Sequence, residues 1–274
     1  MHSRICSALF GAGVIGIAGA AALATNITIA QPDFDRWNYP FNPSGGTELA
    51  SVYSDGGFQP FFDLRDAQFL NTYITSDDIA AGQGAGNYIV TSAIVRATIA
   101  DANGYILGGT GGTSPLELFA TSFRNGFDAL SYGENGSFGP NQFTPGVRNA
   151  FASDALGNDV SNNAGAVPLA LGAVAGKSAG DALASGDIVE FVLNTADPAV
   201  QALLAGGLNA GVVSFSITTL EAADETGGGA YPRFATKENT AFSGVSLEII
   251  AEVPAPGAIG AFCLGGVAAV RRRR

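Results

Sequence analysis

From Val245 to Val253 every second residue is apolar: Val245, Leu247, Ile249, Ala251 and Val253 alternate with Ser246, Glu248, Ile250 and Glu252. A repeat of two is that of a β-strand, whose successive side chains leave opposite faces of the pleat. The same alternation sets Val189, Phe191 and Leu193 against Ile188, Glu190 and Val192 in the run Asp187 to Asn194. In Val212 to Leu220 it sets Val213, Phe215 and Ile217 against Ser214, Ser216 and Thr218. These read as half-buried strands, so Phe215→Asp is expected to unfold the domain and Ser216→Asp to be close to neutral. Tyr88 to Ile99, rich in Ile, Val and Thr, is a longer strand, and Phe61 to Ile74 and Leu116 to Phe123 are further candidates. Asn103-Gly104 carries the signature of a type I′ hairpin turn, and Gly108-Gly109-Thr110-Gly111-Gly112 reads as a loop.

One short helix stands out. Asp197 can cap it, Pro198 suits its first turn, Val200, Leu203 and Leu204 make one apolar side, and Gly206-Gly207 is expected to end it. A single small helix among about eight to ten strands predicts an all-β fold, a β-sandwich, since a parallel βαβ fold needs several longer helices. The 38 glycines, near twice the usual ~7% share, agree with a turn-rich chain. No fixed-period repeat is present, so solenoids and propellers are not expected.

The rare residues exclude most catalytic chemistry. The one histidine is His2 and the two cysteines are Cys6 and Cys263, all in the terminal segments. The body between them therefore holds no imidazole and no thiol, which rules out Ser-His-Asp and Cys-His catalysis, His or Cys zinc sites and disulfides there. Charge is just as lopsided. Of 13 basic residues, Arg4 and Arg271 to Arg274 are terminal, leaving eight against 24 acids and a body charge of −16. Such a surface repels nucleic acid, so no nucleic-acid partner is expected.

Both ends read as addresses. In residues 1–30, His2 and Arg4 precede an apolar run from Ile5 to Leu23, followed by two small-residue cleavage sites, Ala22-Leu23-Ala24 and Thr28-Ile29-Ala30. This is the pattern of a secretory signal peptide. At the other end Val253-Pro254-Ala255-Pro256-Gly257 leads into an apolar stretch from Ala258 to Val270 and then Arg271, Arg272, Arg273 and Arg274. The order of these parts resembles the PEP-CTERM sorting signal of bacterial exosortase systems, with Ala255 where the usual motif has Glu. The resemblance implies Val253, Pro254, Pro256, Gly257 and the four arginines as the sorting signal. It also implies an inner-membrane-associated precursor, partners in the export machinery and an exosortase-like sorting enzyme, and delivery to the cell surface. The arginines would stay on the cytoplasmic side, and a permanent transmembrane tail anchor is the rival reading. The body is then one domain, residues 31–252, and the signal occupies 253–274.

The last third carries a second resemblance. A strand at 187–194, a turn of helix, a strand at 212–220, then Tyr231-Pro232-Arg233-Phe234-Ala235-Thr236-Lys237-Glu238 and a closing strand are similar to jelly-roll modules of the DNRLRE and carbohydrate-binding type. That resemblance implies a jelly-roll-like sandwich and brings no catalytic residues with it.

Other motifs are weaker. Gly172-Ala173-Val174-Ala175-Gly176-Lys177-Ser178 has three residues between its glycines where a phosphate loop needs four, so it reads as an ordinary Gly-rich loop. Carboxylates cluster at Asp33 with Asp35, Asp63 with Asp66, Asp77 with Asp78, and Glu221 with Asp224 and Glu225. These would suit a glycosidase pair or a structural Ca²⁺, but solvated turns explain them as well, and Asp101-Ala102-Asn103-Gly104 reads as a turn. Trp37, Tyr39 and Phe41 alternate in an extended segment, a surface on which sugars stack or a piece of core. The expected function is that of an exported, non-enzymatic, structural or adhesive surface protein without a cofactor. The alternative is a carbohydrate-binding module for extracellular polysaccharide, with or without Ca²⁺, and a carboxylate glycosidase is third.

Overall fold

The alternating runs become the long strands of a mostly antiparallel β structure with one short α-helix. The computed structural model describes residues 23–39, 47–54, 63–132, 148–223 and 228–253. Within them the strands are β1 (Leu23–Ile29), β2 (Phe34–Asn38), β3 (Leu49–Ser51), β4 (Gln68–Ile74), β5 (Ile89–Asp101), β6 (Leu116–Phe123), β7 (Ala150–Ser153), β8 (Ala170–Val174) and β9 (Ile188–Val192). The helix α1 (Pro198–Ala210) follows, then β10 (Val212–Thr219), β11 (Arg233–Ala235) and β12 (Ser246–Val253). The sheet runs β1-β12-β5-β9-β8-β6-β10-β4-β2, with β7 beside β6 and β11 between β3 and β5. Twelve strands among the described residues exceed the expected number because β3, β7, β8 and β11 are too short to show a period.

The sheet curls, and its apolar faces share one core. In β12 the expected set, Val245, Leu247, Ile249, Ala251 and Val253, is buried, with Leu247 opposite Val95 and Ile249 opposite Ala93. Val95 and Ala97 in turn face Phe191 and Val189 of β9. These side chains meet Phe69, Tyr73, Leu116, Leu118, Val213, Phe215 and Ile217 from β4, β6 and β10 in a single apolar cluster. Burial of this apolar surface is the main source of stability.

The second face of β10 departs from expectation. Ser216 and Thr218 are fully buried rather than solvated. The chain around β7 folds over that face, where Phe119, Ala152 and Val160 form a small cluster of their own. Hydroxyls on the covered face satisfy each other: Ser216 Oγ lies 2.7 Å from Thr121 Oγ1, and Ser214 Oγ 2.8 Å from Thr72 Oγ1. Gln68 binds across the layer, donating to Ser161 Oγ at 3.1 Å and accepting from the Ala152 N–H at 3.0 Å.

The helix begins as expected, with Asp197 Oδ1 accepting from the Ala199 N–H at 2.8 Å. It does not stop at Gly206-Gly207 but runs on to Ala210, where Gly211 adopts the left-handed conformation at its end. Gly207 serves close packing instead: a Cβ there would sit 2.5 Å from Val213 Cγ1 and 3.0 Å from the Val212 carbonyl. The Asn103-Gly104 turn forms, with both residues at positive φ (42° and 75°). It does not join two paired strands, however. Tyr105 to Leu107 run beside Asp181 to Leu183, with Leu107 N–H donating to the Asp181 carbonyl at 2.8 Å.

Residues Ala24–Val253 form one compact unit. Its first strand, β1, lies inside the segment read as a signal peptide; it neighbours β12, and Ile27 is buried in the core. The remainder of that signal, and Pro254, Pro256, Gly257 and Arg271 to Arg274 of the sorting signal, lie outside the described residues. Val253 ends β12 with its side chain buried. No helix among the described residues is long and apolar enough to cross a membrane.

Candidate functional site

The buried carboxylates are each held by a partner: Asp63, Asp66 and Glu117 by arginines, Asp35 and Glu221 by backbone N–H groups. Arg148 reaches both Asp63 (3.2 Å) and Asp66 (2.7 Å), all three side chains being at most 4% exposed. Burial raises the Asp63 pKa, against the opposing charge of Arg148. Arg65 is fully buried and grips Glu117 on β6, while also donating to the carbonyls of Val160 and Asn163 at 2.7 Å. Asp33 and Asp35 accept from the backbone N–H groups of Ile74 (2.6 Å) and Lys237 (2.7 Å). Glu221 accepts from the Thr110 N–H at 3.0 Å and hydroxyl at 2.5 Å, fixing the glycine loop. Asp77 and Asp78 are exposed in a turn; Asp224 and Glu225 lie outside the described residues. Two carboxyls facing each other across an open cleft, as glycoside hydrolysis needs, are thus absent among the described clusters. Nor does any group of three or more His, Cys, Asp or Glu side chains among the described residues come together to hold a metal.

Lys177 of the Gly-rich loop pairs with Asp187 at 2.8 Å, and Ser178 N–H donates to Asp181 at 2.7 Å, so that loop is closed on itself. The Asp101 carboxylate accepts from the Asn103 N–H at 2.9 Å, as expected of a turn.

A cavity of about 390 Å³ opens between α1, β6 and β10, lined by Leu203, Val213, Phe123 and other apolar or small residues without a charged group. A second, of about 370 Å³, has more chemistry. Trp37, Thr47, Leu49, Ser51, Tyr53, Tyr231 and Arg233 line it. Its aromatic side is a continuous train. Trp37 stacks on Tyr39 (centroids 5.3 Å, 7° between planes), Tyr39 meets Tyr53 at 5.6 Å, and Tyr53 meets Tyr231 at 4.9 Å. The Arg233 guanidinium lies 5.5 Å from the Tyr231 ring centre and 3.3 Å from the Asp101 carboxylate.

Strand register explains the placement. Arg233 on β11 sits opposite Ser51 of β3 on one side and Asp101 of β5 on the other. Trp37 comes from β2, two residues before Tyr39. Of the expected aromatic trio, Trp37 and Tyr39 join this train, while Phe41 lies outside the described residues. Tyr39, Tyr53 and Tyr231 are buried, and Trp37 is only half-buried. The Trp37 indole N–H is buried without a hydrogen-bond partner. Tyr53 and Arg233 were not picked out as site residues by sequence, because nothing local joins residues so distant along the chain.

No protein-family model and no curated protein sequence matches this chain.

Proposed function

We propose that this chain is an exported, non-enzymatic adhesive protein of the cell surface, whose jelly-roll-like β-sandwich holds extracellular polysaccharide in the groove of Trp37, Tyr53, Tyr231 and Arg233. The groove carries the reading: an aromatic wall with hydroxyls and a guanidinium at its side is the chemistry that binds a sugar, apolar on its C–H faces and polar at its rim. None of the described residues lining it is a carboxylate, which favours binding over cleavage as the reading of this groove.

The address signals complete the reading. A cleaved N-terminal signal delivers the body outside, and the segment from Val253 with its four terminal arginines holds the precursor at the inner membrane for an exosortase-like enzyme. The acidic body keeps the protein soluble and off nucleic acid.

The test has two readouts on material from the producing cell. Intact-mass analysis of the surface form should show a chain lacking residues beyond about Pro256; one that still ends at Arg274 would make the segment a permanent anchor. The same material should co-sediment with the cell's own extracellular polysaccharide, and failure to do so would remove the adhesive role.

A further inference from the structure

Building on that polysaccharide reading, we propose that the groove is selective for neutral sugar rings, bound without metal, and that the indole N–H of Trp37 is a direct donor to the sugar. Three observations lead here.

The first is the unmet donor. Trp37 lines the groove, and its Nε1 is buried with no partner, while Tyr39 takes one face of the ring at 5.3 Å. An N–H withdrawn from water without an acceptor destabilises the empty groove. A hydroxyl or ring oxygen of a bound sugar removes that cost, so the donor favours the occupied state. Trp37 is also the most exposed aromatic of the train, which makes it the ring a ligand reaches first.

The second is the arrangement of the rim. Arg233 holds Asp101 at 3.3 Å and the Tyr231 hydroxyl at 3.4 Å, both long contacts, and its side chain is one-third exposed. A guanidinium has five N–H groups, so several remain for a ligand. With Asp101 alongside, the rim offers donors and acceptors but no net charge. That suits the paired hydroxyls of a neutral ring and gives a carboxylated sugar no cation of its own. The body charge of −16 adds repulsion toward polyanions.

The third is that none of the described residues lining the groove is acidic, so a cation finds no carboxylate ligand among them.

The chain contains a single tryptophan, so its emission reports this groove alone. The full-length protein in detergent is titrated with neutral oligosaccharides (gluco-, manno- and galacto-) and with oligogalacturonate and alginate fragments, each with and without EDTA. A saturable change in Trp37 emission with at least one neutral series, unaltered by EDTA, is expected. Trp37→Phe keeps a ring but removes the donor and should weaken binding about tenfold by calorimetry. Arg233→Ala, on a side chain one-third exposed, should do the same with the melting temperature within a few degrees of the parent. Saturable binding of uronates but not neutral sugars would overturn the ligand class and leave the polysaccharide reading standing. Neutral-sugar binding that disappears with EDTA, or that survives both substitutions, would overturn the site as described. No binding of either class would sink the polysaccharide reading as well.

Discussion

Arg65 holds Glu117 with two donors, Nε to Oε2 at 2.8 Å and Nη2 to Oε1 at 3.2 Å, on the covered face of the sheet where neither group meets solvent. The pair joins the segment before β4 to β6, and the same guanidinium reaches the carbonyls of Val160 and Asn163 in the covering chain. It is a clamp on the outer layer.

Removing one partner strands the other charge. Glu117→Leu should destabilise by about 3–5 kcal/mol, whereas Arg65→Met with Glu117→Leu should recover a large part of that loss. Chemical denaturation of the parent, each single variant and the double variant checks this. Equal midpoints for the parent and Glu117→Leu would show that the pair does not clamp the layer.

The covered face also reverses an expectation drawn from alternation. Ser216→Asp should unfold the domain much as Phe215→Asp does, because it places a carboxylate beside Thr121 in a site with no exposure. Far-UV spectra and melting curves of the two variants are the comparison. A folded Ser216→Asp protein would mean that the chain around β7 does not cover β10.

The glycine pair of α1 should separate cleanly. Gly206 has open space at its Cβ position, so Gly206→Ala should stabilise by about 1 kcal/mol. Gly207→Ala should destabilise instead, since the added methyl meets the Val212 carbonyl at 3.0 Å as well as Val213. Thermal melts of both single variants read the sign directly.

If the proposed signal is cleaved, strand β1 discriminates between the two candidate sites. Cleavage after Ala30 would remove β1 and with it Ile27, whose buried side chain is worth about 1.5–3 kcal/mol. The exported protein should therefore begin at Thr25, and a chain starting at Gln31 should melt several degrees lower with the edge of β12 unpaired. N-terminal sequencing of exported material tests the first point, and melting of the two truncations the second.

How far the sequence was legible follows from where its information is local. Alternation in β5, β9, β10 and β12 is a property of neighbouring residues, so these strands and their apolar faces are readable before any fold is known. What covers the opposite face is not local: nothing in Ser216 and Thr218 announces that distant parts of the chain will bury them completely. Gly206-Gly207 misleads for a related reason. A glycine that ends a helix and one that admits a neighbouring strand look alike until Val213 is in place. The groove is the extreme case. Trp37 and Tyr39 stood out by their spacing, but the pieces that give them chemistry, Tyr53, Asp101 and the pair Tyr231 and Arg233, come from three separate places in the chain. Strand β1 was hidden differently, since an apolar run before a small-residue site reads equally well as a signal and as an edge strand.

Under the proposed export, the neighbouring places of β1 and β12 set a schedule. The first described strand has its hydrogen-bonding partner in the last described one, so nearly the whole described chain must be delivered before that edge of the sheet can close. A protein that crosses a membrane as an unfolded thread needs to stay unfolded during the passage. Here the delay is written into strand order: the sheet waits for β12, and the residue after β12 is Pro254, where the segment read as the membrane-held tail begins. On the proposed export route, completion of the fold and arrival at the sorting step fall at the same moment of synthesis.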